Sequence, residues 1–323
     1  MKRAAEFALA LFAGFAVSAM AQPRPGSPQM IRAQAPVTAV ALSAISNRAV
    51  IVSRDKKLTL WDLEGSRLLG TIALTTADID VAAISDDGRW IFTGDHSGNM
   101  YVWDAGTGRA QVQVRMHHYP GAVSFSHDSK FIAIAPMGDP VQVFDVAASK
   151  LLYETKAVTG GTTALAFSRD GGSIATADAD TAVRVYDAHT GKLVAENRDF
   201  LLEPLAVDFT ADGRQVVAGG GDKILMFIDA ASGKLIRRLP KTEEPVAFSC
   251  LKVSPDGSVV AVIFMKAENM TQAAPVVMWE MSSGKRKSQW LPDKLALWMD
   301  WTRDGRLISV GFDADSMVVW RVP

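Results

Sequence analysis

"GNMYVWDAGTGRAQV", residues 98–112, combines a small glycine cluster with a Trp-Asp pair at the end of an alternating apolar run. A phosphate loop needs four residues between its glycines, then Lys and Ser/Thr at the start of a helix. Here a strand-like run follows the glycines. Two further stretches repeat the arrangement, "TAVRVYDAHTGKLVAE" at 181–196 and "KILMFIDAASGKLIRR" at 223–238. Each has an apolar alternation, Asp, a short turn ending in Gly-Lys, then a second apolar run, and no Ser/Thr follows the Lys. The glycines are turn residues, and the stretch is one copy of a repeat.

The Trp-Asp position can be followed through the chain. It falls at Trp61-Asp62, Trp103-Asp104, Phe144-Asp145, Tyr186-Asp187, Ile228-Asp229, Trp279-Glu280 and Trp320-Arg321, in steps of 42, 41, 42, 42, 51 and 41 residues. A second marker runs ahead of it: "SDDG" from Ser85, "SHDS" from Ser126, "SRDG" from Ser168, "TADG" from Thr210, "SPDG" from Ser254 and "TRDG" from Thr302, with Ser43 opening the first copy's turn. The gap between the markers is 18 residues in six copies and 25 in the sixth. Two markers in register across seven copies define the period.

Within a copy the signals are those of short strands. "VAAIS", "AVSFS", "LAFS" and "VDFT" alternate and end at an Asp-Gly type turn. A second run such as "RWIFTG" follows, then a polar loop, the Trp-Asp strand, the Gly-Lys turn and a fourth run such as "KLVAEN". Four strands in a period of about forty residues predict a propeller, whose blades bury their faces only against neighbouring blades. After Trp320 only "RVP" remains, so the seventh copy lacks a fourth strand, while "QMIRAQA" at 29–35 precedes the first copy. Placed as the outermost strand of blade seven, that segment closes a ring of seven four-stranded blades.

The Ser-x-Asp-Gly turn, the Trp-Asp ending at this period and the split last blade resemble the seven-bladed WD-repeat propellers over essentially all of residues 29–323. The chain departs from that family's pattern in three ways. The Gly-His pair before the first strand is missing, with His117 the near match. The loop Asp six residues before the Trp position occurs only as Asp55, Asp180 and Asp222. The Trp-Asp pair is intact in two copies of seven. The family's Asp-His-Ser-Trp hydrogen-bond set is therefore not expected here. Lactonase-like and quinoprotein-like exported propellers are the alternative relatives.

The 323 residues, 48% of them hydrophobic, can bury a large core, and a net charge of −1 without long runs of either sign gives a nucleic-acid partner no electrostatic footing. Lys2 and Arg3 precede an apolar run, Phe7–Val17, and then "SAMAQ", where Ala19 and Ala21 satisfy the small-x-small rule. We read residues 1–21 as a cleaved export signal, 22–28 as a Pro-rich linker and 29–323 as the propeller. Loss of Lys2, Arg3 and Glu6 takes the net charge from −1 to −2. The apolar run is too short to span a bilayer, no Cys stands at the cleavage site, and no later segment reads as a transmembrane helix, so no membrane anchor is expected. The single cysteine, Cys250, can form no internal disulfide, haem attachment or multi-cysteine zinc site.

In WD-repeat propellers the loops entering each blade share a face, usually the binding face, with those between second and third strands. The resemblance maps "RMHHYPG" (115–121), "NRDFLLEP" (197–204), "LPKTEEP" (239–245), "QWLPDKL" (289–295), "GDHSGN" (94–99) and "FMKAENMTQAAP" (264–275) to that face. The sixth copy's seven extra residues, with Met265, Lys266, Glu268 and Met270, read either as a tolerated surface insertion or as a partner-binding flap. Tyr119, Phe200 and Trp290 on the same rim favour binding, since aromatics with polar neighbours anchor interfaces. His96, His117 and His118 invite a metal site, but adjacent histidines rarely share one ion, and no metal is expected. The pairs Asp178/Asp180 and Asp313/Asp315 sit in tight loops and read as turn-capping residues rather than calcium ligands.

Two residues before the turn Ser/Thr, most copies hold Ala or Ser, whereas copies five to seven hold Asp208, Lys252 and Asp300. These channel-lining charges read as a balanced structural set before they read as a ligand site. No catalytic triad, nucleophile elbow or activated cysteine appears. The expectation is an exported bacterial WD-repeat propeller, periplasmic or secreted and monomeric. It would have no cofactor and no catalytic residues, and would bind a protein partner through one loop face. The alternative is a propeller enzyme or small-ligand binder with its site at the channel mouth.

Overall fold

The computed structural model describes residues 28–75, 78–240, 247–265, 275–294 and 296–322. They form seven sheets of four antiparallel strands each, arranged as the blades of a propeller. Six sheets run in chain order from an inner to an outer strand. In the seventh, Gln29–Arg32 pairs with Ser316–Val322, in the register Gln29 to Val319 and Arg32 to Ser316, so the N-terminal strand closes the ring as expected. The export signal and most of the linker, residues 1–27, lie outside the described residues.

The turn signature has a simple chemistry. In blade two the Ser85 hydroxyl donates to Asp87 Oδ1 at 2.6 Å and accepts from Trp90 N at 2.9 Å, while Asp87 Oδ1 accepts from Arg89 N at 2.9 Å. Ser126 and Asp128, Ser168 and Asp170, Thr210 and Asp212, and Ser254 and Asp256 repeat the first bond at 2.6–2.7 Å. The fourth turn residue takes a positive φ, +69° at Gly88 and +72° at Gly171. In the copy reading "SHDS", Ser129 is held at +60°. The second turn uses the Asp of the Trp-Asp position as its cap: Asp187 Oδ1 accepts from His189 N at 3.1 Å and Thr190 N at 2.8 Å. Gly108, Gly191 and Gly233 then take φ of +69°, +69° and +72°, which is why the quoted stretch carries a glycine at 108.

The Trp position is a slot for a large apolar side chain. Trp103, Phe144, Tyr186, Ile228, Trp279 and Trp320 are all buried there. Trp103 Nε1 donates to Thr93 Oγ1 at 2.9 Å, a bond that Phe144 and Ile228 have no donor to make. Burial at the seams therefore defines the slot. The apolar core is divided into seven clusters, one per seam between adjacent blades. The seam between blades seven and one contains Ile31, Val37, Ile51, Met317 and Val319, so the N-terminal strand contributes packing as well as backbone pairing.

One feature breaks the expectation of simple turn capping. Asp178 is fully buried and receives Thr162 Oγ1 at 2.6 Å, Thr176 Oγ1 at 3.0 Å and Arg184 Nη1 at 2.6 Å. The same guanidinium reaches Asp180 at 2.6 and 2.9 Å and Glu196 at 3.2 Å. Asp178 and Asp180 are thus the anionic half of a buried network in blade four.

Candidate functional site

The inner strands Val37–Ser43, Ile79–Ile84, Pro120–Phe125, Thr162–Phe167, Pro204–Phe209, Ala247–Val253 and Trp298–Trp301 surround the central channel. In the first six a register shift one or two residues into the strand marks a bulge, which twists the strand and re-aims its side chains. Antiparallel order puts the loops entering each blade on one face, with those between second and third strands. Their backbones bond there: Met116 N donates to Gly98 O, Ala179 N to Gly161 O and Gly221 N to Glu203 O. The Ser-x-Asp-Gly turns lie on the opposite face.

On the loop face, His96 stacks on Tyr119 with centroids 5.1 Å apart, and its Nδ1 pairs with Asp80. The hydrogen bond to Asp80 raises the His96 pKa above its ordinary value. His118 Nδ1 lies 3.2 Å from Asp139, and His117 is exposed. Both His117 and His118 are exposed, so the near match to the Gly-His pair at His117 does not supply a core histidine. Each paired histidine has its own carboxylate, and among the described residues no group of three His, Cys, Asp or Glu could hold a metal ion.

Two of the aromatic anchors are corrected. Phe200 turns inward and packs in the seam between blades four and five with Ala195, Val207 and Phe209. Trp290 closes the seam between blades six and seven, edge-on to Trp320 at 5.5 Å. Both satisfy the core, so neither is available to a partner. What the loop face does expose is Leu201 at 84%, Leu202 at 54%, Leu291 at 59%, Trp298 at 40% and Tyr119 at 39%. The run "DFLLE" held this signal, because a loop that buries one of three adjacent apolar residues leaves the others outside. Beside them the channel opens into a cavity of about 440 Å³ lined by Val40, Val123, Leu165, Leu205, Trp298 and Phe312. Lys266, Glu268 and Met270, and the side chain of Met265, lie outside the described residues.

Further down the channel, Asp208, Lys252 and Asp300 come together and line one cavity of about 110 Å³. Asp208 accepts from Phe209 N at 2.9 Å and, across the seam, from Val253 N at 2.8 Å. Asp300 accepts from Trp301 N at 2.9 Å and from Ala44 N of blade one at 2.9 Å. Burial works against the Lys252 charge, but Asp208 and Asp300 outweigh it and hold its pKa above the usual lysine value. Burial pushes the Asp300 carboxyl up, with Lys252 opposing and Asp86 adding to the shift. The Cys250 thiol is buried and pushed up to about 11, chiefly by that burial, which leaves it protonated and unreactive at neutral pH.

Seven blades of four strands, the Ser-Asp turn, the Trp slot and a ring closed by its own N-terminal strand define a WD-repeat propeller. Residues 29–200, from the closing strand through blade four, match the model of the NWD2 C-terminal beta-propeller family, and the chain belongs to that family. A stretch of 111 residues is 32% identical to autophagy-related protein 16 of Arabidopsis thaliana. That match covers 34% of this chain and 22% of the relative, so the chain corresponds to about a fifth of that protein's length.

Proposed function

We propose that the chain is a protein-binding scaffold that engages its partner through the loop face. The observation that carries this reading is the exposure of Leu201, Leu202, Leu291, Trp298 and Tyr119 around the channel mouth. Large apolar side chains from three interblade loops and one inner strand present a rimmed surface of the kind that protein interfaces use. A rigid ring of seven seams holds the loops in fixed relation, which lowers the ordering cost of binding. The family fits this role, since WD-repeat propellers commonly serve as interaction scaffolds.

The export signal read in residues 1–21 makes the working compartment the periplasm or the exterior, with Gln22 as the first residue of the mature chain. N-terminal sequencing of the protein recovered from cell fractions tests this. A cytosolic chain that retains Met1 would overturn it. The binding face is tested by crosslinking capture with the intact protein, a Leu201→Asp/Leu202→Asp variant and an outer-strand Leu151→Asp variant. Capture is expected to be lost with the first variant and kept with the second. The same partners at equal yield from all three would overturn the reading.

A further inference from the structure

Two rings of side chains face the turn end of the channel. In the upper ring, two residues before each turn Ser/Thr, blades one to four supply only Ala41, Ala83, Ser124 and Ala166. Blades five to seven complete it with Asp208, Lys252 and Asp300, and all seven positions line the cavity of about 110 Å³. Half of the ring is vacant space and the other half is charged.

The lower ring, one residue after each turn Ser/Thr, is charged mainly on the other side. Asp86, His127 and Arg169 come from blades two, three and four, and Arg303 from blade seven. Asp86 and His127 also line the upper cavity. His127 Nδ1 sits 2.7 Å from Asp86 Oδ2. Arg169 and Arg303 border a second cavity of about 120 Å³, which shares Asp208, Lys252, Asp300 and His127 with the first.

The charges do not cancel locally. Asp208 and Asp300 are fixed by backbone amides, and neither has a cation within 4 Å among the described residues. Lys252 Nζ makes no hydrogen bond or ion pair among the described residues, and it senses the two aspartates only at longer range. Asp208 and Asp300, with Asp86 at the edge of the same cavity, thus face one ammonium, while His127, paired with Asp86, and two guanidiniums without side-chain partners among the described residues stand exposed at the mouth. The interior favours a cation and the mouth an anion. Carboxylates already oriented by backbone amides pay little to receive an ammonium.

We propose that the turn end of the channel binds a compact zwitterion, its ammonium lodged against Asp86 and Asp300 and its carboxylate held between Arg169 and Arg303. The small side chains of blades one to four leave space for a short ligand. The site's charged residues lie toward the turn end of the channel and are not among those proposed to hold a protein partner, although its cavity meets the loop-face cavity at Ser124, Lys252 and Trp298.

Calorimetric titration of the purified chain at low salt with γ-aminobutyrate, butylammonium and butyrate tests the proposal. γ-Aminobutyrate is expected to bind at least tenfold more tightly than either single-charge probe. Asp300→Asn, whose amide oxygen can still accept from Ala44 N, should weaken γ-aminobutyrate and butylammonium alike by tenfold or more. Arg303→Ala should weaken γ-aminobutyrate and leave butylammonium unchanged, and being exposed and unpaired it leaves the fold intact. Ser124→Leu, which fills the vacant half of the ring, should abolish binding. Equal binding of all three probes, no binding of any, or γ-aminobutyrate binding unchanged in Arg303→Ala and Ser124→Leu would each overturn the proposal.

Discussion

Replacement of Ile31 by Ala isolates the ring closure in one side chain. The closing strand Gln29–Arg32 has four residues and buries one of their side chains: Ile31 is 3% exposed, among Val37, Ile51, Met317 and Val319, whereas Met30 points outward at 50%. Truncation removes three carbons from the seam. At about 0.8 kcal/mol per buried CH₂ the transfer loss is about 2.4 kcal/mol. Core Ile→Ala changes cost about 2–5 kcal/mol overall. A short edge strand relaxes more easily than a central one, so we expect about 2–3 kcal/mol. Met30→Ala should stay within about 0.5 kcal/mol. Urea unfolding followed by tryptophan fluorescence reads this as a fall in the midpoint at unchanged slope. Removal of residues 22–35 should also bare the edge of Ser316–Val322 and produce self-association visible by size-exclusion chromatography. If Ile31→Ala and Met30→Ala unfold at the same urea concentration, and the truncated chain remains monomeric, the closure is wrong.

Arg184→Ala should destabilise by about 3–5 kcal/mol, because it leaves fully buried Asp178 without its counter-charge; Arg184→Met/Asp178→Asn should recover part of the loss in the same unfolding assay. Phe200→Ala should cost about 3–5 kcal/mol, whereas Leu201→Ala beside it should change stability by no more than about 0.5 kcal/mol. Hydrogen bonds from turn hydroxyls and amides lower the carboxyl pKa values of Asp170, Asp212 and Asp256, the last to about 2. A folded pKa below the unfolded one gives stability that is present above about pH 4 and lost as the pH falls toward 2. Melting temperature should therefore fall through that window, and Asp256→Asn should flatten part of the fall.

The blade count, strand order and closing strand were legible because they are encoded by turn chemistry that recurs at fixed spacing. A Ser hydroxyl bonded to an Asp, an Asp capping a turn, and a glycine at positive φ each need a particular residue type, so they leave marks that survive when the Trp becomes Phe, Tyr or Ile. The site was only partly legible. Asp208, Lys252 and Asp300 stood out because they share a ring position that is Ala or Ser elsewhere. Phe200 and Trp290 were misplaced because a loop aromatic, or one at the end of an outer strand, has no periodicity to say which way it points. Arg184 was missed because an alternating strand gives an outward arginine and a buried one the same pattern. The lower channel ring was hidden inside the variable position of Ser-x-Asp, where the repeat itself discourages attention.

The two channel aspartates have a structural reason to exist, since each accepts an amide hydrogen from the neighbouring blade, Val253 N and Ala44 N. That reason does not extend to the cations. A balanced internal set would bring Lys252 into contact with a carboxylate, as Arg184 is brought within 2.6 Å of Asp178 and Asp180 in blade four. The same chain therefore contains a closed ion network, with its donors and acceptors matched, and an open one, whose ammonium and guanidiniums stand apart from the carboxylates beside them. Enclosed charges held apart in this way carry a solvation cost that pairing would reduce. The seams take no part in this cost, because the packing that holds the ring together lies between blades and not at the channel. A propeller can thus carry unmatched charge along its axis while the seven seams supply the stability, and the unmatched groups are where a ligand has most to add.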